Sequence, residues 1–220
     1  MDIDILYQDA SLLIVNKPAG IPVHAGPKGG PNMEQMVAGL FDPRKRAPSL
    51  AHRLDRDTSG CLVFGKTVPA LRRMQHIFET RQVTKTYWAI TSGAPDDDDG
   101  MIDAKLAKKS TDPRSWWMEV SDKGQEAQTI YRVLARGQGR ALVECQPLTG
   151  RTHQIRIHLA HIGCPIVGDP VYGPKSATYS PLLLHARAIT LPFEGPNAIH
   201  VEAAPPAVFQ DAMKAITLAS

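Results

Sequence analysis

Residues His52-Arg53-Leu54-Asp55-Arg56-Asp57-Thr58-Ser59-Gly60 place a histidine, two arginines and two carboxylates within six positions. Apolar sequence follows closely (Cys61-Leu62-Val63-Phe64) and precedes more loosely (Pro48-Ser49-Leu50-Ala51). Charged side chains in such a setting are held in pairs or used in chemistry. A polar loop running into a strand is a common mounting for a catalytic group. The plainer alternative is a surface turn with local Asp–Arg pairs, which are frequent and contribute little. The hydrophobic brackets weigh against it, as does a second basic segment, Gly150-Arg151-Thr152-His153-Gln154-Ile155-Arg156-Ile157-His158, which looks like its complement.

Three chemistries have candidate residues here. Eight histidines raise the possibility of a metal centre. The best cluster, His153, His158 and His161, matches neither H-E-x-x-H nor a zinc-finger spacing, and no acidic ligand lies near it in sequence. Ser59 with His52 could begin a hydrolytic triad, but there is no G-x-S-x-G elbow, and Ser59 reads more simply as a turn or capping residue. The third uses a carboxylate. Asp55 lies between Arg53 and Arg56, and a nearby guanidinium favours and orients the ionised form. Such a carboxylate can attack a sugar C1′ or stabilise an oxocarbenium-like state. Glycosidic chemistry usually brings a second carboxylate. Asp57 is nearest, but two positions along a turn need not share a site, so a reaction with one essential Asp fits better. Gly-rich phosphate loops of the P-loop or dinucleotide type are absent.

The surrounding pattern predicts the elements that carry these loops. Ile3–Tyr7 and Leu12–Asn16 read as strands around a polar turn, stopped by Lys17-Pro18-Ala19-Gly20. Met33, Met36, Val37, Leu40 and Phe41 keep helical spacing behind an Asn32 N-cap. Cys61–Gly65 reads as a buried strand, Thr67–Thr80 as an amphipathic helix, and Arg81–Ile90 as a basic entry into a strand bearing Tyr87. Asp96–Gly124 looks irregular, with a solvated acidic run at Asp96–Asp99 and a short strand at Trp116-Trp117-Met118. Gln128–Leu134 and Ala141–Gln146 pair across Arg136-Gly137-Gln138-Gly139. Thr152–His158 alternates like a strand, yet Ile155, Leu159 and Ile162 keep helical spacing with Gly163 as a stop; a helix from near Thr152 is favoured. Pro165–Gly173 is a loop, Leu182–Leu191 a strand and Ala207–Leu218 a terminal helix. Irregular mixing of strands and helices points to an α+β fold rather than a doubly wound parallel sheet.

With 220 residues, 43% of them hydrophobic, the chain can form one substantial domain of one or two lobes. The formal charge of +3 is mildly basic and does not by itself establish a nucleic-acid partner. Three cysteines, Cys61, Cys145 and Cys164, without C-x-x-C spacing argue against a disulfide framework or zinc ribbon. No apolar run reaches membrane-spanning length, and Met1-Asp2-Ile3-Asp4 lacks a secretory signal's character. A cytoplasmic protein with no membrane partner is expected.

These segments together resemble the RluA-type RNA pseudouridine synthase family, in a short form without an S4 domain. The catalytic-type motif is His52-Arg53-Leu54-Asp55 with Thr58-Ser59-Gly60. Further matches follow in order: Leu13–Gly20, Lys85-Thr86-Tyr87, Leu148–Arg156, Gly168-Asp169-Pro170-Val171-Tyr172-Gly173, and Leu182-Leu183-Leu184-His185-Ala186. The resemblance implies isomerisation of specific uridines to pseudouridine in ribosomal or transfer RNA, with no metal or organic cofactor. It implies Asp55 as catalytic carboxylate, Tyr87 packed on the target base and able to serve as a base, and Arg151 as the basic partner of Asp55. His52 and Arg53 are expected at the substrate, Arg53 filling the space left by the extruded uridine, with Leu183 as an apolar pocket wall. It also implies a mixed, mainly antiparallel sheet with flanking helices and a central catalytic cleft, formed by residues 1–220 as a single catalytic domain. Without an S4 domain, RNA affinity is expected from the cleft and from Arg44-Lys45-Arg46, Arg72-Arg73 and Lys105 with Lys108-Lys109. A monomer acting on structured RNA is the expected state. The competing reading is an RNA-binding protein or chaperone of the same fold that performs no isomerisation. The target uridine is not encoded in any short motif.

Overall fold

The computed structural model describes residues 3–26, 29–110, 112, 117–174, 181–192 and 198–217. In chain order the elements are β1 (Asp4–Gln8), β2 (Leu12–Lys17), α1 (Met33–Ala38), β3 (Ser49–Leu50), β4 (Ser59–Gly65), α2 (Val68–Glu79), β5 (Thr84–Ser92), β6 (Asp99–Asp103), β7 (Leu106–Lys108), β8 (Met118–Val120), β9 (Gln128–Gly137), β10 (Arg140–Pro147), α3 (Gln154–His161), β11 (Leu184–Leu191), β12 (Ile199–Glu202) and α4 (Ala207–Thr217). The chain divides into two compact units. The first is Met1–Lys85 with His185–Pro206; the second is Thr86–Leu184 with Ala207–Ser220.

In the first unit β2 pairs antiparallel with β1 and β4, β3 joins β4, and β12 joins β11. The β4–β11 pair is parallel, through Ser59↔His185 and Gly60↔Ala186. Central strands covered on both faces read as continuous apolar runs. Leu12, Leu13, Ile14 and Val15 of β2 and every residue of β4 are accordingly buried. Helix α2 starts on a Thr67 N-cap and packs Met74 and Ile77 inward, with Arg72 and Arg73 exposed. It lies so close that a Cβ on Gly65 would come within 2.7 Å of Leu71 Cα. Asn32 caps α1 as its sequence predicts, accepting from Gln35 N–H.

The second unit carries β5, β10, β9 and β6, paired antiparallel in that order, and a separate β7–β8 ribbon. Gln138 and Gly139 both take positive φ at the β9–β10 turn, as a tight two-residue hairpin requires. Helix α4 packs on β9 and β10, and Phe209 and Ile216 enter a core with Ile90, Leu142, Val143 and Leu159. The α+β, mainly antiparallel expectation therefore holds.

Several local expectations are corrected. Asp96–Gly124 is not irregular: β6, β7 and β8 lie within it, because Ile102, Ala104 and Leu106 alternate inward. The acidic run Asp96–Asp99 is exposed throughout, as a solvated segment should be, but its last residue, Asp99, already opens β6, and Asp98 pairs with Arg136. Trp116 lies outside the described residues, and the strand there begins at Met118. Helix α3 starts at Gln154, two residues later than expected, because His153 takes a left-handed φ of 56°. Its stop at Gly163, with φ 78°, matches the sequence reading. Among the described residues no helix is long and apolar enough to cross a membrane.

Candidate active site

In the first unit Asp55 sits on the loop between β3 and β4. Asp55 O accepts from Thr58 N–H at 3.2 Å, closing a turn, while the buried Leu54 side chain roots it. The loop is stitched to residues 17–21. Gly20 N–H donates to Arg56 O at 3.0 Å, and Arg56 Nε returns a bond to Gly20 O at 3.0 Å. Lys17, fully buried, points Nζ at three carbonyls: Pro18 O (2.8 Å), Ile21 O (2.7 Å) and Arg56 O (2.8 Å). An ammonium has three donors, and all three are matched. Burial pushes Lys17 down to about 8, opposed by the charges of Asp57 and then Asp55. Arg56 therefore does not turn back to orient Asp55, as its spacing suggests; its guanidinium caps Gly20 and lies 4.0 Å from Asp57.

His52 is committed to packing. Its ring stacks on Phe78 at 4.5 Å, and Nε2 accepts from Val63 N–H at 3.1 Å. Burial, aided by Lys85, pushes it down to about 3, so the ring is neutral. Arg53, in contrast, is exposed.

In the second unit Tyr87 lies on β5 opposite Cys145 of β10, half-buried. Leu183 is buried, its N–H on Val167 O (2.9 Å) and its carbonyl accepting from Ile90 N–H (3.0 Å). Arg151 precedes α3, with Nε donating to Glu126 O at 3.1 Å. Its backbone N–H donates to Gln154 Oε1 at 3.0 Å. Inside the helix, Arg156 makes a buried two-pronged pair with Asp169, Nε to Oδ2 and Nη2 to Oδ1, each at 2.7 Å. Asp169 Oδ1 also accepts from Val171 and Tyr172 N–H. The Arg156 guanidinium lies 5.1 Å from the Tyr172 ring centroid, and the Tyr172 hydroxyl meets His153 Nδ1 at 3.0 Å. The segments around Arg151 and Asp169 are thus one joint.

The three histidines weighed for metal are separated by their partners. His158 uses Nδ1 on Thr129 Oγ1 (2.9 Å) and Nε2 on Ala104 O (3.0 Å), His153 meets Tyr172, and His161 is exposed. Among the described residues no group of three or more His, Cys, Asp or Glu could hold a metal ion.

A family model described as RNA pseudouridylate synthase matches residues 11–161 of the chain. This chain belongs to that family. An uncharacterized RNA pseudouridine synthase of Zymomonas mobilis is 43% identical over 209 residues, covering 94% of this chain and 95% of that protein. The ribosomal large subunit pseudouridine synthase D of Xanthomonas campestris is 40% identical over 185 residues, covering 80% of this chain and 55% of its own length. Among solved structures, human RNA pseudouridylate synthase domain containing 4 superposes with a TM-score of 0.82 at 31% identity, covering 97% of this chain and 93% of that one.

As an RNA pseudouridylate synthase the chain is an isomerase that converts uridine to pseudouridine in RNA. The synthase's six expected site residues divide evenly: His52, Arg53 and Asp55 in the first unit, Tyr87, Arg151 and Leu183 in the second. Reading the residues alone misses Lys17, which looks only like a strand stop, and Gln154, which looks only like part of a polar face.

Proposed function

We propose that this synthase isomerises one or a few uridines of structured RNA, ribosomal RNA foremost and transfer RNA as the other class, with Asp55 as the catalytic carboxylate. The observation that carries this reading is the Asp55 turn. It is tied to a buried, fully bonded Lys17 and to Gly20, while Asp55 itself stays only partly covered. A reactive group held by rigid neighbours is preorganised for one geometry. Ribosomal RNA is favoured by the name of the Xanthomonas relative, a ribosomal large subunit synthase.

In this reading the target uridine leaves its stack, at a cost of roughly a few kcal/mol that a stacked Tyr87 ring offsets in part. Asp55 acts at the glycosidic centre. The C1′–N1 bond breaks, the uracil rotates, and C1′ bonds to C5; the proton leaves C5 and N1 regains one, so the product is an isomer. Tyr87 serves as the base at C5. Arg151 is the basic partner of Asp55, where a lysine would match a carboxylate less well. Leu183 walls the uracil pocket, Arg53 fills the gap left in the RNA, and His52, stacked on Phe78 and bonded by Val63 N–H, fixes the start of the substrate-facing loop. Residues 1–220 act as one catalytic domain, a cytoplasmic monomer. The exposed Arg72, Lys105, Lys108 and Lys109 supply phosphate contacts and make binding salt-sensitive. Arg44 contributes less than its sequence suggests, because Asp42 already pairs with it at 2.9 Å.

The test is pseudouridine mapping on RNA from cells lacking the gene, treated with purified protein or with Asp55→Asn. New pseudouridine at a few ribosomal positions, absent with Asp55→Asn, is expected. RNA that is bound but unmodified by the wild-type protein would make this a binding protein instead.

A further inference from the structure

Helix α3 begins without a side-chain cap, since His153 at the cap position is left-handed and makes no capping bond. Its first residue, Gln154, is 4% exposed and reaches backwards instead. Oε1 accepts from Arg151 N–H at 3.0 Å and from Thr149 Oγ1 at 2.7 Å. Nε2 donates to Gln128 O at 2.9 Å and to Thr129 Oγ1 at 3.0 Å. All four hydrogen-bonding positions of the amide are therefore in use, and a flipped amide would set its NH₂ against the Arg151 N–H.

The chain of donors continues in one direction. Thr129, accepting from Gln154, donates its own hydrogen to His158 Nδ1 at 2.9 Å, and His158 Nε2 donates to Ala104 O at 3.0 Å. Thr149, donating to Gln154, accepts from Gln128 N–H at 3.1 Å. Each hydroxyl accepts one bond and gives one. Arg151 is held at two points by this arrangement: its backbone N–H through Gln154, and Nε on Glu126 O beside the start of β9. Its terminal nitrogens Nη1 and Nη2 make no hydrogen bond among the described residues. The guanidinium is gripped at its base and its outer edge is presented.

We propose that Gln154 is a positioning residue for Arg151, setting the backbone of the Thr149–Arg151 turn and with it the direction in which the outer edge of the guanidinium is presented. This rests on the reading of Arg151 as the partner of the catalytic carboxylate. Gln is required because the site needs two acceptor positions and two donors. Glu cannot donate to Gln128 O, and Met leaves the Arg151 N–H, Thr149 and Gln128 O unmatched in a buried place.

The experiment is a double-mutant cycle on single-turnover rate and RNA affinity, with Gln154→Met and Gln154→Glu made alone and with Arg151→Lys, all at a temperature where each variant is shown to be folded. Gln154→Met is expected to slow single turnover by about 10- to 100-fold while RNA affinity stays within roughly twofold. In the Arg151→Lys background the same change is expected to slow it by less than about threefold, since its effect passes through Arg151. The same fold-loss in both backgrounds, or a loss confined to affinity, would overturn the positioning role. Wild-type turnover by Arg151→Lys alone would instead overturn the catalytic reading of Arg151, and the positioning role with it.

Discussion

Ser59 Oγ and His185 Nδ1 lie 2.8 Å apart in the first unit, joining residues 126 positions distant in the chain. His185 Nε2 donates to Ala203 O at 3.1 Å, so Nδ1 carries the lone pair and accepts from the hydroxyl. The bond sits where β4 leaves the Asp55 loop, at the parallel pairing Ser59↔His185 and Gly60↔Ala186. Two motifs that look unrelated in sequence, Thr58-Ser59-Gly60 and Leu184-His185-Ala186, are the two halves of one joint that anchors the Asp55 loop.

The joint makes stability depend on pH. Burial pushes His185 from 6.5 down to about 4. Between these values the unfolded chain binds a proton that the folded protein does not, so stability is complete above pH 6.5 and falls as pH drops towards 4. At about 1.4 kcal/mol per unit, the share of His185 comes to about 3 kcal/mol. His52 acts in the same direction. Denaturant midpoints across this range should show the decline, and His185→Asn should show a shallower one. An equal slope in the variant would remove His185 as its source.

Gly60→Ala should be among the most destabilising small changes in the protein. Gly60 has φ +110°, and an added Cβ would lie 2.2 Å from Ala186 O, a backbone atom that cannot swing aside. A loss of about 4 kcal/mol or more is expected from urea unfolding. A loss below about 1 kcal/mol would mean that β4 and β11 part readily.

Lys17→Met should affect stability and turnover together. Removing the ammonium leaves the Pro18 and Ile21 carbonyls without their donor and leaves Arg56 O with Gly20 N–H alone. Each buried unmatched group costs about 1–3 kcal/mol, and the Asp55 loop loses its anchor. Lys17→Arg should not restore the wild type, because a planar fork does not fit three converging carbonyls. Full activity in a folded Lys17→Met protein would show that the loop holds its shape without the cage.

Arg156 and Asp169 should respond as a pair. Both side chains are almost wholly buried, at 6% and 0% exposure. Asp169→Asn is expected to cost about 3–5 kcal/mol, because it leaves a guanidinium buried without its counter-charge. The double replacement Arg156→Met with Asp169→Asn, which keeps an acceptor for the Val171 and Tyr172 N–H groups, should cost less than the two single replacements added together. Additive losses in thermal or urea unfolding would contradict this coupling.

Much of the site is legible in the order of residues. The charged run around Asp55 stands out against its apolar brackets, and apolar runs, turn signals and helical spacing locate β2, β4, β10 and α2 to within a residue or two. Asn32 caps the helix that its position predicts. Less legible are β6–β8, because short strands interrupted by Asp and Lys carry too few apolar positions to declare a period.

By itself the sequence determined which chemical groups are present, most of the local elements, and the family, since these depend on residue type and near-neighbour spacing. Tertiary structure alone decided what the polar residues do. Lys17 and Lys45 carry the same side chain, yet Lys17 is caged by carbonyls while Lys45 is exposed. The spacing of Arg56 puts it beside Asp55, and the fold uses it to hold Gly20; the His52 ring is spent on Phe78. Hydrogen bonds are short and directional, so a polar side chain's role is set by whichever backbone passes within about 3 Å of it. For Ser59 the partner is a side chain 126 residues away, a distance that no local pattern spans.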